Sequence, residues 1–166
     1  MISGFHLGNS PYEYQEQVVK GKVLIFCSTN GSKALAKSKM AKNILMAAFV
    51  NVEKVAEFAR RGKDDVVILC AGKLGKFSVE DAVCGGMLVA RLQASLDQCG
   101  LNDGALAAWT LYEKLGDNSL NLLTKSRHGQ YLIEIGAGED LQVCAGVNTI
   151  GIVPVLRNGV IRAERF

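Results

Sequence analysis

The sequence predicts an α/β protein, a three-layer α/β/α arrangement with a mostly parallel sheet and a C-terminal β-hairpin. Three observations lead there. The aliphatic runs at 23–27, 43–49 and 66–70 show no polar alternation, which is the pattern of strands buried on both faces. Each run is followed by a short polar loop and a segment able to form a helix, the order of βαβ units. Near the end, Asn158-Gly159 stands between two apolar runs, as in a tight hairpin.

Taken in order, Asn9-Ser10-Pro11 opens a short helix over 12–19, with Pro11 suited to a first helical position and Gly21 near its end. The run 23–27 is the first strand, and 31–39 is the helix after it, with Lys33, Lys37 and Lys39 on a solvated face. The run 43–49 is the second strand, Asn51 caps a helix over 52–61, and Gly62 stops it. The run 66–70 is the third strand. Ser78 then caps a long amphipathic helix reaching to about Asp97, with Asp81 three residues on as a variant capping box. A helix over 104–115 carries Trp109 and Tyr112 as core residues. Two short helices, 118–124 and 128–135, are broken around Ser126-Arg127-His128-Gly129, and an acidic turn at Glu139-Asp140 precedes the hairpin.

With 166 residues, the chain suits a single domain, 1–166, large enough to bury a core without disulfides. A net charge of +3 with scattered basic residues gives no nucleic-acid footprint. No apolar run reaches membrane-spanning length. The five cysteines, Cys27, Cys70, Cys84, Cys99 and Cys144, are odd in number and sit mostly in apolar stretches, which favours reduced, buried thiols in a cytoplasmic protein.

Two loops are chemically promising, because both would lie at the carboxyl edge of the sheet, where open α/β folds bind ligands. Ser28, Thr29, Asn30, Gly31, Ser32 and Lys33 provide hydroxyls, an amide, close backbone approach and a charge at a helix start, a place for an anion. The structural alternative is a well-capped βα turn, and the Walker A spacing is absent. The second loop, Cys70-Ala71-Gly72-Lys73, leads to Glu80 and Asp81. These two acids either complement a helix dipole or hold a divalent cation beside a phosphate. Arg127 offers an anion contact. A different reading makes Cys70 a nucleophile with His128 as its base.

The order of the motifs adds to this. His6-Leu7-Gly8-Asn9-Ser10-Pro11, then Cys27-Ser28-Thr29-Asn30-Gly31, then Cys70-Ala71-Gly72 with Phe77-Ser78-Val79-Glu80-Asp81, then Ser126-Arg127-His128-Gly129-Gln130-Tyr131, Asp140-Leu141 and Val153-Pro154, resembles the 2-phosphosulfolactate phosphatase family along essentially the whole chain. The resemblance implies Mg²⁺-dependent hydrolysis of the phosphomonoester 2-phospho-3-sulfolactate to sulfolactate and phosphate, on the route to coenzyme M. It implies that residues 28–33 with Gly72 and Lys73 bind phosphate, that Asp81 or Glu80 supports the metal, and that Arg127 assists catalysis. The partner would be a small anionic phosphorylated substrate, with neither nucleic acid nor membrane involved and with room for a homo-oligomer. The family pattern also carries a further amino-terminal segment with an Asp-Val-Leu-Arg-Ala-Thr-Thr type motif, so the chain reads as an amino-terminally truncated family domain. A non-catalytic anion-binding remnant of the family is the alternative. Asn148 stands where the family pattern leads one to expect an acid.

Overall fold

The computed structural model describes residues 3–62, 64–94 and 100–164. After a 3-10 turn at Pro11–Glu13 come α1 (Glu16–Val19), α2 (Gly31–Lys37), β1 (Ile44–Leu45), a second 3-10 turn at Phe49–Asn51, α3 (Val52–Gly62) and α4 (Val79–Gln93). There follow α5 (Asp103–Leu115), α6 (Ser119–Lys125), α7 (Arg127–Glu134), α8 (Asp140–Cys144), β2 (Val153–Arg157) and β3 (Val160–Glu164).

The core forms where α3, α4, α6 and β2 meet. Val52, Val55 and Ala56 of α3 and Val83, Met87, Leu88 and Leu92 of α4 recur at helical spacing and are buried against Leu122, Leu123, Val153 and Val155. Each such aliphatic side chain gains about 1.5–3 kcal/mol on leaving water. Helices α4 and α5 pack so closely that a Cβ at Gly86 would stand 1.9 Å from the Ala108 carbonyl oxygen, so the crossing admits only glycine there.

The C-terminal hairpin forms as the sequence predicts. β2 pairs antiparallel with β3, and Asn158 (φ 51°) and Gly159 (φ 78°) make the turn with both residues left-handed, the geometry that matches strand twist. The sheet itself is a correction. Among the described residues it has three strands in the order β1-β2-β3, all antiparallel, in place of a mostly parallel sheet between two helical layers. The run 43–49 contributes only Ile44–Leu45, and 23–27 and 66–70 belong to no strand. Their side chains are correspondingly open to solvent, with Val23 92%, Ile25 86% and Val67 88% exposed. The physical reason is that strand sequence alone does not make a strand. Pairing requires a neighbouring backbone, and no described segment supplies one to either run.

Other expectations shift locally. The first helix divides into the 3-10 turn and α1. The predicted end of the long helix near Asp97 lies outside the described residues, as does Cys99. Cys27, Cys70 and Cys144 are exposed and Cys84 is half-buried, all four as free thiols, so the expectation of burial fails for Cys27 and Cys70, whose runs lack partner strands, and for Cys144 at the end of α8. Asn51 does not cap α3. It is buried, accepts the Ala48 N–H and donates to the Met46 and Ile152 carbonyls, tying the exit of β1 to the approach of β2. The start of α3 is served from 95 positions away, by Asn148 Oδ1 accepting the Glu53 N–H at 2.9 Å. Among the described residues no helix is long and apolar enough to cross a membrane.

Candidate active site

The first loop is held by two reciprocal bonds. Ser28 N–H donates to Ser32 Oγ at 3.0 Å and Ser32 N–H to Ser28 Oγ at 3.3 Å, closing the turn that leads into α2. A Cβ at Gly31 would come within 2.9 Å of Ser28 Oγ, so glycine lets the turn close without shifting that hydroxyl. Thr29 and Lys33 are exposed at its rim, and Asn30 is half-buried because its side chain is engaged elsewhere.

That engagement joins the two loops. Lys73 and Lys76 exchange backbone bonds at 3.1 and 3.0 Å around Leu74 (φ 53°) and Gly75 (φ 75°), a tight turn with two left-handed residues. Leu74 is an unfavourable residue for that conformation, and its N–H donates to Asn30 Oδ1 at 3.0 Å, which pins it. On the other side of the turn, Gly72 (φ 68°) donates its N–H to Asp81 Oδ2 at 2.6 Å, while the Asp81 N–H donates to Ser78 Oγ as the predicted cap. Asp81 therefore reaches back to the loop instead of closing a capping box on Ser78.

The turn projects Lys73 toward α7. Lys73 Nζ lies 3.1 Å from His128 Nδ1 and 4.9 Å from the centroid of the Tyr131 ring, and the His128 and Tyr131 rings stack with centroids 6.1 Å apart. An ammonium only donates, so Nδ1 accepts and Nε2 is the nitrogen left for other partners. Ser126 positions this helix, with its buried Oγ donating to the Leu123 carbonyl and accepting the Gly129 N–H.

Direct bonds thus join Ser28 to Ser32, Asn30 to Leu74, Gly72 to Asp81 and Lys73 to His128, with the Asn30–Leu74 bond linking the first loop to the turn. Glu80 is next to Asp81 in the first turn of α4, and Arg127 is exposed beside His128 at the first position of α7. Lys33 stays on the outer face of α2. Two residues that the structure places against Lys73, His128 and Tyr131, are not among the anion-site residues that the sequence suggests. Their signal is their helical spacing of three, which places both side chains on one face of α7.

For the cysteine-nucleophile reading, among the described residues no hydrogen bond joins Cys70 to His128, whose Nδ1 is engaged by Lys73. Partial burial and then the nearby Asp81 charge push the Cys70 thiol up from its ordinary range, the opposite of what an activated nucleophile needs. As for a metal, among the described residues no three His, Cys, Asp or Glu side chains gather as a ligand set. Mg²⁺ in phosphoryl-transfer sites takes one or two carboxylates, with phosphate and water completing its shell. Asp81, which has one carboxylate oxygen bound by Gly72 and the other outside that bond, fits this sparse mode, with Glu80 adjacent.

The hydroxyls of Ser28 and Ser32, which accept backbone N–H groups and keep their own protons to donate, lie in a loop joined to the turn that carries Lys73, within a protein of mixed helix and strand. The family model described as 2-phosphosulpholactate phosphatase matches residues 1–159. Three relatives bear the name "Probable 2-phosphosulfolactate phosphatase". That of Caldanaerobacter subterraneus subsp. tengcongensis is 37% identical over 164 residues, which are 99% of this chain and 68% of the relative. That of Symbiobacterium thermophilum is 36% identical, covering 97% of this chain and 69% of the relative. That of Thermotoga maritima is 34% identical, covering 98% and 69%. The chain belongs to the 2-phosphosulfolactate phosphatase family.

Proposed function

We propose that the protein hydrolyses the phosphate ester of 2-phosphosulfolactate, releasing sulfolactate and inorganic phosphate, in the cytoplasm and as a step toward coenzyme M. The observation that carries this reading is the joining of the 28–32 loop to the 72–76 turn through Asn30 and Leu74, in a chain of this family. The substrate carries phosphate, sulfonate and carboxylate groups, so it needs more than one cationic or N–H-rich contact. The first loop receives the phosphate on its hydroxyls and backbone. Lys73, held by His128 and Tyr131, meets a second anionic group, and Arg127 lies next along α7. A hydroxyl or ammonium bond to a charged oxygen is worth about 1.5–3 kcal/mol.

Mg²⁺ would be held by Asp81 with Glu80 beside it, and when bound it would polarise a phosphoryl oxygen and offset charge building up during attack by water. The chain's own residues orient the substrate. Gly72 is fixed by Asp81, so placement of the turn and of the carboxylate are linked. His128 Nε2–H, not engaged by Lys73, is available to donate a hydrogen bond to a substrate oxygen.

Release of phosphate from 2-phosphosulfolactate, measured with and without Mg²⁺ for the natural chain and for Asp81→Asn, tests this. Turnover that needs Mg²⁺ and falls about 100-fold in the variant supports it. Binding of phosphate without turnover points instead to a non-catalytic member of the family, and equal turnover in the variant removes Asp81 from the site.

A further inference from the structure

The thiols of Cys70 and Cys84 lie at one contact, between the run 66–70 and α4. Ile68 and Cys70 both point at that helix, where a Cβ at Gly85 would stand 3.4 Å from Ile68 Cγ2 and 3.8 Å from Cys70 Sγ. Cys84 is the residue before Gly85, and both cysteines line one open cleft of about 990 Å³. Their charges interact as those of near neighbours do. The Asp81 carboxylate raises both thiols, and Cys70 itself acts on Cys84. Cys144 lines the cleft too, from α8, but the charge that acts on it is that of Asp140. Among the described residues, no backbone hydrogen bond joins 66–70 to another segment, so Cys70 is free to adjust to the geometry that a disulfide requires.

We propose that Cys70 and Cys84 are a redox pair, which a small-molecule disulfide oxidises to an internal disulfide that staples the turn carrying Lys73 to α4. The loop so closed, 70–84, holds 15 residues and contains that whole turn together with Asp81. Cys70 reacts first, because it is exposed while Cys84 is half-buried. Its thiolate attacks one sulfur of the small disulfide, forming a mixed disulfide and releasing one small thiolate. The Cys84 thiolate then attacks the Cys70 sulfur and displaces the second. The two protein thiols give up two electrons and two protons, and the small disulfide takes up both and leaves as two thiols. Burial and the Asp81 charge keep both cysteines protonated, so the bond forms slowly at neutral pH and, with two poor leaving groups, resists reduction. In a reducing compartment a bond of this kind is a response to oxidant. The inference stands on the placement of the two sulfurs and is independent of the catalytic reading.

The test incubates the 166-residue chain with excess oxidised glutathione at pH 8.5 and maps its disulfides by mass spectrometry of a non-reduced digest. The expected product is a single chain linked Cys70 to Cys84. Its melting temperature is about 5–10 °C above that of the reduced chain, and amide exchange at 72–76 is about tenfold slower. Dithiothreitol reverses all three changes. Cys70→Ser, which alters an exposed side chain, keeps the circular-dichroism spectrum and shows neither the linkage nor the two shifts. Cys84→Ala stops at a glutathione adduct on Cys70. Thiols that stay unreacted, an adduct on Cys70 of the natural chain that never resolves, or a linkage from either cysteine to another thiol would each overturn the pairing. A Cys70–Cys84 linkage that leaves exchange at 72–76 unchanged, or shifts in Cys70→Ser equal to those of the natural chain, would overturn the staple.

Discussion

The Gly72 N–H donates to Asp81 Oδ2 at 2.6 Å while the Asp81 N–H donates to Ser78 Oγ, so the residue that Ser78 caps at the start of α4 also fixes, by its carboxylate, the turn that carries Lys73. Removing that carboxylate has two separable consequences. Asp81→Asn keeps an oxygen acceptor for Gly72 and loses the charge, whereas Asp81→Ala loses both. Chemical denaturation should show Asp81→Ala less stable by about 1–3 kcal/mol and Asp81→Asn by distinctly less. Both variants should lose Mg²⁺-dependent phosphate release. A stable but inactive Asp81→Asn is the expected pattern, and equal stability losses in the two would mean that the bond to Gly72 contributes through charge alone.

Lys73 and His128 act as a unit, since the imidazole accepts from the ammonium and the Tyr131 ring supports both. Lys73→Ala should raise KM for 2-phosphosulfolactate about tenfold, the loss of one charged contact, with a smaller change in kcat. His128→Ala should raise KM as well, because it frees Lys73 to swing, and the double variant should be worse than Lys73→Ala by less than the His128→Ala effect alone. Steady-state kinetics on the three variants measures this coupling. Full additivity would show that His128 does not position Lys73.

The sequence made the local features legible where the cause is local. Ser78 as a cap, the break at Ser126, the solvated lysines of α2 and the Asn158-Gly159 turn all depend on a few neighbouring residues, and all appear. The parallel sheet was not recovered, because an aliphatic run such as 66–70 signals only that burial is favourable and cannot say whether a partner strand is present. The candidate site was half legible. The small residues at 28–32 and at Gly72 announce themselves by composition. The bonds that join them, Asn30 to Leu74 and Lys73 to His128, span 44 and 55 positions and depend on tertiary placement that no spacing rule contains.

Asn148 illustrates the same point with a measurable result. It sits at φ 57°, its N–H donates to the Phe49 carbonyl, and its side chain accepts the Glu53 N–H at the first turn of α3. Asparagine tolerates the left-handed conformation better than other non-glycine residues, and its amide oxygen supplies the cap. Asn148→Ala should therefore cost about 1–2 kcal/mol in denaturant unfolding. Asn148→Gly, which relieves the backbone but loses the cap, should cost less. Asn148→Asp should keep the cap and add a favourable charge at the helix start, leaving stability equal or higher.

The last expectation concerns pH. Burial, then the Asp81 charge and then Cys70 push the Cys84 thiol up to about 12 from an ordinary value of 9.0. Below pH 9 the thiol is protonated in both the folded and the unfolded chain, and its contribution to stability is complete. Between about 9 and 12 the unfolded chain releases the proton while the folded chain holds it, so the folded state binds more protons and stability falls as pH rises. The slope approaches about 1.4 kcal/mol per pH unit within that window. Urea unfolding followed from pH 8 to 10.5 should show this decline, and Cys84→Ala should make it shallower by removing the titrating group from α4. The same burial should make Cys84 the slowest of the four described thiols to react with iodoacetamide at pH 8, after the exposed Cys27, Cys70 and Cys144. A pH profile identical in the natural chain and in Cys84→Ala would show that the thiol titrates alike in the folded and unfolded states.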